Sequence, residues 1–280
     1  MEPGLPEYPE GFDWQGHRGA RGLLPENTVP AFLKALEFSV QTLELDVVVS
    51  ADSQVLVSHE PWLSHRICSL PTDSVSLTEE NERTLGNIFK MSYAAIRTCD
   101  CGSKGNPDFS RQEKRPVHKP LLSEVVEAVR AHCTASGRNM PGFNIEIKSR
   151  PDWDGQFTPD PTVFADLLIR EIGKLGIAGS TTIQSFDVRA LQAARQLAPE
   201  IRLAYLVGDA GALSEKLALL GFIPEIYSPY HELLQASGVE DLHRQGMRVI
   251  PWTVNERDRM VELVQMGVDG IITDYPDLIW

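Results

Sequence analysis

Long apolar segments are missing from this chain of 280 residues. It contains no run of about 18 apolar residues, the length that a membrane-spanning helix needs. Residues 1–10 are polar and rich in proline, without the apolar core of a signal peptide. A chain whose signal peptide had been removed would look the same. We therefore expect a soluble protein without stable membrane insertion, either cytoplasmic or, after loss of a signal peptide, periplasmic or secreted.

Basic residues are scarce relative to acidic ones. The chain has 26 Lys and Arg against 39 Asp and Glu, a formal net charge of −13 at pH 7. An acidic surface disfavours non-specific binding to nucleic acid and to anionic lipid, so no nucleic-acid partner is expected. If the substrate is an anion, it must be held by a few local positive charges.

Cysteine is also sparse, with four residues at Cys68, Cys99, Cys101 and Cys133. This number is too small to define a disulfide framework. The Cys99-Asp100-Cys101 segment lacks the two-residue gap of zinc knuckles and redox pairs. We expect ordinary thiols or one surface disulfide, and no metal site at the cysteines.

What is present is an alternation of short apolar segments with amphipathic ones, the pattern of repeated βα units. Eight segments read as strands: Trp14–His17, Thr42–Val48, Gly142–Ile147, Thr181–Phe186, Arg202–Leu206, Glu225–Ser228, Arg248–Val254 and Gly270–Thr273. Helices are predicted between them at Val29–Phe38, Leu122–His132, Pro161–Lys174, Asp187–Leu197, Leu213–Leu220, His231–Gln245 and Glu256–Met266. This order predicts a (β/α)8 TIM barrel, with a doubly wound sheet as the alternative.

A ninth apolar segment, Val55–Ser58, follows the second strand too closely for a crossover helix. It should form a hairpin with Val47–Val49 and lie outside the parallel ring. The hairpin would fold His59 back towards the strand that carries Glu44 and Asp46. Two sites that are separated in sequence would then share one pocket.

Titratable residues collect at the predicted C-terminal strand ends, where the active sites of such barrels lie. Glu44 and Asp46 are spaced i, i+2, so both side chains leave the same face of the strand. With Glu146 on the neighbouring strand they offer oxygen ligands for a hard divalent cation. His17 and His59 suit proton transfer near neutral pH.

Arg18 and Lys148 lie beside these residues in the sequence and suit the binding of a phosphate group. Together with the carboxylates and histidines, they describe metal-assisted cleavage of a phosphate ester. An alternative remains open, in which Glu44 or Asp46 forms a salt bridge with Arg18 or Lys148 and no metal is bound.

Seven motifs in order resemble the glycerophosphodiester phosphodiesterase family, and they extend over almost the whole chain. They are Gly16-His17-Arg18-Gly19, Pro25-Glu26-Asn27-Thr28, Glu44-Leu45-Asp46, His59-Glu60, Glu146-Ile147-Lys148, Trp252-Thr253-Val254-Asn255 and Thr273-Asp274-Tyr275-Pro276. The resemblance implies hydrolysis of a glycerophosphodiester to sn-glycerol 3-phosphate and an alcohol. It also implies a single barrel domain over residues 1–280, in which an insertion at about 61–118 caps the mouth.

The resemblance also implies a role for each candidate residue. His17 and His59 would be the general acid and base, in an order that the sequence leaves open. One Mg²⁺ or Ca²⁺ ion would be held by three carboxylates, and the substrate would be contacted by five side chains. The carboxylates are those of Glu44, Asp46 and Glu146, and the substrate contacts are Arg18, Lys148, Glu26, Phe186 and Trp252.

Two of these assignments, and one further motif residue, have a simpler structural interpretation. Glu26 precedes the first helix, where the helix dipole favours an acid, and Asn27 or Thr28 is the expected N-cap. Trp252 can be an ordinary core residue. Asp274 is expected to bond to the backbone or to Arg18 and so to serve the architecture.

Two other functions are considered beside hydrolysis of a small diester. One is a phospholipase-type or lysophospholipase-D-type activity on lipids, which would need an apolar rim for acyl chains. The insertion offers only scattered candidates for that rim: Leu77, Ile88, Phe89, Met91 and Tyr93. The other is a non-catalytic barrel that binds glycerophosphodiesters, for which a missing histidine or acid would be the sign. None of the expected positions is missing, and the oligomeric state is left open.

Overall fold

The structure is a computed structural model that describes residues 6–71 and 76–280. The expected domain over 1–280 and insertion at 61–118 therefore include two stretches, 1–5 and 72–75, that lie outside the described residues. Among the helices that the structure describes, none combines the length and the apolar character that crossing a membrane requires.

Nine strands form one sheet, and eight of them make the wall of a barrel. They are β1 (Asp13–Gly16), β2 (Thr42–Val49), β3 (Val55–Val57), β4 (Gly142–Ile147), β5 (Thr181–Ser185), β6 (Arg202–Val207), β7 (Ile226–Pro229), β8 (Arg248–Val249) and β9 (Gly270–Thr273). The parallel strands follow the order β8-β7-β6-β5-β4-β2-β1-β9. Backbone hydrogen bonds close the ring, from Asp269 N–H to the Val249 carbonyl and from Val254 N–H to the Ile272 carbonyl, each 2.9 Å. The predicted (β/α)8 barrel is confirmed.

Helices surround this wall in the expected alternation. In chain order they are α1 (Val29–Ala35), α2 (Glu82–Leu85), α3 (Tyr93–Ile96), α4 (Leu122–Ser136), α5 (Pro161–Leu175), α6 (Val188–Leu197), α7 (Leu213–Leu220), α8 (Ala236–Arg244) and α9 (Arg257–Gln265). Thr28 caps α1 by accepting a hydrogen bond from Ala31 N–H at 3.4 Å, one of the two caps that the sequence allowed.

Two predicted elements differ from the structure. The helix expected at His231–Gln245 begins as a 3₁₀ turn at His231–Leu233 and resumes as α8, because the backbone is extended at Leu234. The strand expected at Arg248–Val254 ends after Val249. Pro251 lacks the N–H that would continue the ladder.

The hairpin prediction is confirmed: β3 pairs antiparallel with β2, with Val57 opposite Val47 and Val55 opposite Val49. The chain then leaves the barrel and forms the insertion, which contains α2 and α3. Its side chains pack into a core of their own, centred on buried Leu63, Ile88 and Ile96.

A disulfide between Cys68 and Cys101 crosses this small core. It is buried, with 0% and 3% of the two residues exposed, so the expected surface location is wrong. The reason is that both residues pack within the apolar cluster of the insertion. Cys99 and Cys133 are free thiols and are buried as well.

We predict that the disulfide stabilises the insertion by restricting its unfolded states. Its sequence separation of 33 corresponds to up to about 3–4 kcal/mol of chain entropy. Cys101→Ala should lower the free energy of unfolding accordingly, measured by urea denaturation, and should speed proteolysis between residues 61 and 118. Cys99→Ala, which removes a neighbouring buried thiol, should cost about 1 kcal/mol. Equal effects of the two changes would contradict this prediction.

Candidate active site

The C-terminal ends of the barrel strands open into a cavity of about 260 Å³, here called the inner chamber. It is lined by His17, Arg18, Arg21, Glu44, His59, Glu146, Lys148, Gln184, Phe186, Leu206, Trp252, Thr253 and Ile272. A second cavity of about 520 Å³, the outer chamber, adjoins it. The outer chamber is lined by His59, Glu60, Trp62, Arg83, Glu146, Lys148, Ser149, Arg150, Trp153 and Phe186.

Three carboxylates converge at the inner chamber. Asp46 on β2 lies directly opposite Glu146 on β4, and Glu44 precedes Asp46 on the same inward face. One oxygen of each lies within 4.8 Å of the others, and all three residues are buried. Asp46 Oδ1 is buried and has no hydrogen-bond partner among the residues that the structure describes. An unpartnered oxygen in an all-carboxylate donor set fits a hard divalent cation.

Two cations lie against these acids. The Arg18 Nε atom is 3.1 Å from Asp46 Oδ2, and the Lys148 Nζ atom is 2.8 Å from Glu146 Oε1 and 3.7 Å from Asp46 Oδ1. The salt-bridge alternative from the sequence is thus present in the structure. It does not exclude a metal, because each carboxylate has two oxygens with lone pairs to spare.

The protonation of the carboxylates reflects this crowding. Burial and the charge of Asp46 raise the pKa of Glu44 well above its usual value. The same two causes raise the pKa of Glu146 to about 7, although Lys148 opposes them. Burial works against ionisation of Asp46 too, but Arg18, His59 and Lys148 together hold its pKa well below the usual range. Asp46 therefore carries the negative charge most firmly.

His17, directly after β1, is oriented by a carboxylate at the end of the last strand. Its Nδ1 atom is 2.7 Å from Asp274 Oδ1, and Asn255 Nδ2 donates to the other oxygen of Asp274 at 2.7 Å. Its Nε2 atom is 3.9 Å from Glu44 Oε2. Burial lowers the pKa of His17; Asp274 opposes this shift and Arg18 adds to it. The expectation that Asp274 bonds to the backbone or to Arg18 is wrong, because its carboxylate contacts His17 and Asn255 instead.

His59, which also lines the inner chamber, has a similar arrangement. Its Nδ1 atom is 2.7 Å from Glu60 Oε1, which leaves Nε2 without a partner among the described residues. Burial lowers the pKa of His59, and the charges of Arg18 and Lys148 lower it further. Both histidines are therefore biased towards the neutral form near pH 7, which is the form that accepts a proton.

Glu26 does not line either chamber. Its two oxygens accept hydrogen bonds from Arg18 Nη1 and Arg21 Nε, both at 2.7 Å. The two arginines hold the pKa of Glu26 far below its usual value, against the effect of burial. The predicted substrate contact of Glu26 stays a prediction, and its place in the structure is that of a support for two cations of the inner chamber.

The backbone at Arg18 is unusual, with a φ of 50° that L-residues seldom adopt. This conformation directs its N–H to Glu44 Oε2 at 2.9 Å. Gly19 follows with a φ of 85°, and a Cβ there would lie 2.5 Å from the Ala31 carbonyl carbon. The turn after β1 is therefore tied closely to both α1 and the acidic cluster.

Phe186 and Trp252 form the apolar side of the inner chamber. Their rings meet edge to face with centroids 5.3 Å apart, and Trp252 Nε1 donates to the Ser228 carbonyl at 2.9 Å. Phe186 lines both chambers and is 44% exposed, so it lies at the rim that they share. Trp252 is thus a wall of the chamber as well as a packed side chain.

Sequence analysis missed a line of buried amides beneath the site. Asn144 Nδ2 donates to Gln15 Oε1 at 2.8 Å and to Gln184 Oε1 at 3.0 Å, and Gln184 Nε2 donates to Glu44 Oε1 at 2.7 Å. Asn27 Nδ2 similarly donates to Asp46 Oδ2 at 2.8 Å. A polar residue at an inward strand position, such as Gln184, was the available signal.

The sequence model of the glycerophosphoryl diester phosphodiesterase family matches residues 17–278 of this chain. The chain belongs to the glycerophosphoryl diester phosphodiesterase family. Its activity is the hydrolysis of glycerophosphodiesters, and the resemblance inferred from the seven motifs is confirmed.

Relatives of this family match over nearly their whole length. A glycerophosphodiester phosphodiesterase of Caldanaerobacter subterraneus subsp. tengcongensis is 28% identical over 94% of either chain. A Silicibacter pomeroyi structure, provisionally named a glycerophosphoryl diester phosphodiesterase, has 29% identity and a TM-score of 0.84 over 98% of this chain and 94% of its own. An Oleispira antarctica phosphodiesterase in complex with the product sn-glycerol-3-phosphate shares the fold, with 22% identity and a TM-score of 0.72 over 97% and 94%.

We predict that cation binding at the acidic cluster competes with protons near neutral pH. Glu146, with a pKa of about 7, and Glu44, with a raised pKa, must lose their protons for a cation to bind. The affinity for Mg²⁺ or Ca²⁺ should therefore fall as the pH drops below 7, by about tenfold per unit for each proton taken up. The increase in melting temperature with added cation, compared at pH 8 and pH 5.5, measures this.

Glu146→Gln provides the comparison, since it removes the group that titrates near pH 7 while retaining the side-chain size. It should weaken cation binding and flatten the dependence on pH. Identical cation affinity of the unmodified protein at the two pH values would show that these carboxylates are not the ligands.

Proposed function

We propose that this chain hydrolyses glycerophosphodiesters to sn-glycerol 3-phosphate and an alcohol with the help of one divalent cation, Mg²⁺ or Ca²⁺. In this proposal His17 and His59 are the proton-transfer pair. One observation carries the proposal: a single cavity is lined by Glu44 and Glu146 of the buried carboxylate cluster, by Arg18 and Lys148, and by two carboxylate-oriented histidines.

Glu44, Asp46 and Glu146 are the proposed cation ligands. Burial first, and then the charge of Asp46, raise the pKa values of Glu44 and Glu146, and a positive charge bound between the carboxylates would oppose both effects. When bound, the cation would supply charge that stabilises the phosphoryl oxygens in the transition state. Between Mg²⁺ and Ca²⁺ the proposal makes no choice, because carboxylate oxygens suit both.

Arg18 and Lys148 are the proposed anchors of the phosphate group. Both line the inner chamber and both are held in place by acids, Arg18 by Glu26 and Lys148 by Glu146. A guanidinium group and an ammonium group together can donate hydrogen bonds to several phosphoryl oxygens and so fix the orientation of the phosphate group. Phe186 and Trp252 would then cover the carbon atoms of the substrate.

The two chambers suggest how the histidines divide the work. His17 lines the inner chamber alone, whereas His59 lines both. If glycerol occupies the smaller inner chamber, the alcohol extends past His59 into the outer one. His17 Nε2 would then take the proton from the hydroxyl group, of water or of the glycerol, that attacks phosphorus, and His59 Nε2 would protonate the alcohol oxygen as its bond to phosphorus breaks. The negative phosphate beside His59 would favour its protonated form.

The lipid alternative gains no support from the insertion. Leu77, Ile88 and Tyr93, three of the scattered candidates for an apolar rim, are buried in the apolar cluster of the insertion. No second candidate function is therefore proposed.

Removal of divalent ions is expected to abolish turnover of glycerophosphocholine, and returning Mg²⁺ or Ca²⁺ should restore it. Glu44→Gln and Asp46→Asn should each raise the cation concentration needed for half-maximal rate by roughly tenfold or more, since each deletes an anionic ligand. Glu171→Gln, on the outer surface of α5, serves as the control and should change nothing. Full activity of the metal-free protein in excess chelator would contradict the assignment of a cation to this site.

Replacement of either histidine should lower kcat by roughly 10²–10⁴-fold, the usual contribution of a positioned acid or base. A substrate whose leaving group needs no proton distinguishes the roles of the two histidines. A p-nitrophenyl ester of glycerol phosphate releases an anion that needs no proton, so it should rescue His59→Ala but not His17→Ala. His132→Ala, on α4, is the control. If the ester rescues both variants or neither, the division of roles is wrong.

A further inference from the structure

The outer chamber lies between the insertion and the loop after β4, and side chains from the two segments face each other across it. Trp62 of the insertion and Trp153 of the loop meet edge to face, with ring centroids 5.7 Å apart. Asn87 Nδ2 donates to the Gln156 carbonyl at 3.0 Å and fastens the insertion to the loop. These contacts hold the insertion and the loop together, so this side of the outer chamber is formed by packed side chains.

Each tryptophan ring carries a guanidinium group. The Arg83 Cζ atom is 4.6 Å from the centroid of the Trp62 ring, and the Arg150 Cζ atom is 5.1 Å from that of Trp153. Open aromatic faces would recognise a quaternary ammonium group such as that of choline. Here a positive charge already covers one face of each ring, so a cationic head group meets repulsion.

The charged residues that line the outer chamber also favour an anionic group over a cationic one. Among its acids, Glu146 is paired with the ammonium group of Lys148 at 2.8 Å, and Glu60 is hydrogen-bonded to the ring of His59 at 2.7 Å. Arg150 is held by Asp152 at 3.0 Å. Arg83, in contrast, forms no ion pair with any carboxylate in the described stretches 6–71 and 76–280. In a chain with a net charge of −13, an exposed arginine that has no acid partner among the described residues and lies beside the reaction centre is a positive charge available to a ligand.

We propose that the outer chamber selects diesters whose alcohol carries an oxyanion, either a carboxylate or a second phosphate, and that Arg83 is the residue that recognises it. The inference rests on the proposed function, since it places the alcohol beyond His59. The phosphorus stays between Arg18 and Lys148, and the alcohol extends between Trp62 and Trp153. The guanidinium of Arg83 can turn its outer edge to the oxyanion and keep its face on Trp62.

Glycerophosphoserine and glycerophosphoethanolamine differ by one carboxylate and so isolate the proposed contact. The unmodified protein should show the higher kcat/KM for glycerophosphoserine. Arg83→Gln should reduce the ratio of kcat/KM for the serine ester to that for the ethanolamine ester by roughly tenfold, the effect of one charge-assisted hydrogen bond. Arg83→Lys should restore part of the ratio, since it retains the charge without the fork.

Arg66→Gln is the matched control, because Arg66 is another exposed arginine of the insertion that pairs with Asp108 and does not line the chamber. The ratio should not change in this variant. A preference of the unmodified protein for the ethanolamine ester, or the same ratio in Arg83→Gln as in the unmodified protein, would overturn the inference.

A binding measurement separates failure of this inference from failure of the proposed function. Calorimetry of O-phosphoserine against O-phosphoethanolamine tests the chamber without hydrolysis. Tighter binding of phosphoserine, lost in Arg83→Gln and kept in Arg66→Gln, supports the inference even if neither diester is hydrolysed. Equal binding of the two compounds refutes it, whatever the rate of hydrolysis.

Discussion

Repulsion among three buried carboxylates is the constraint on which the rest of the site depends. Glu44, Asp46 and Glu146 are brought together by the register of β2 against β4. Burial alone would protonate them all, and it does raise the pKa of Glu44 and Glu146. Arg18 and Lys148 keep Asp46 ionised. The cluster is thus partly charged and partly protonated, a state that responds to any added positive charge.

Uncharged groups hold this cluster in place as much as the ions do. The amides of Gln15, Asn144 and Gln184 form a hydrogen-bonded line inside the barrel that ends on Glu44. Such a line satisfies buried polar groups where an apolar core would leave the carboxylate oxygen without a donor. The barrel interior is therefore polar along β1, β4 and β5, whereas Ala204, Ile226, Ile250 and Ile272 form a small apolar cluster of their own, and the large apolar core is a separate cluster.

Features that depend on local periodicity were predictable from the sequence. Alternation along β2 placed Glu44 and Asp46 on one face, and the short connection after it predicted the hairpin that brings back His59. The clustering of Glu146 with Glu44 and Asp46 was also predictable, but the specific partners of His17 and Glu44 were not. His17 and Asp274 are 257 residues apart, and Glu44 and Gln184 are 140 apart. Nothing in either neighbourhood of the sequence encodes the pairing, because it arises only when the ring of strands closes.

The insertion illustrates the same limit. Its apolar residues are too irregular in spacing to predict either a core or the disulfide, because short α2 and α3 segments bury side chains without a sustained period. The side chains of the outer chamber, Trp62 and Arg83 above all, had no motif to mark them. Their position became clear only from the contact between the insertion and the loop after β4.

The bond between His17 and Asp274 ties the first barrel strand to the last. The chain is synthesised from its N-terminus, so β1 leaves the ribosome long before β9 has been synthesised. During that time His17 lacks the carboxylate that orients its ring. The contact can form only after the last strand has been synthesised and has paired with the first.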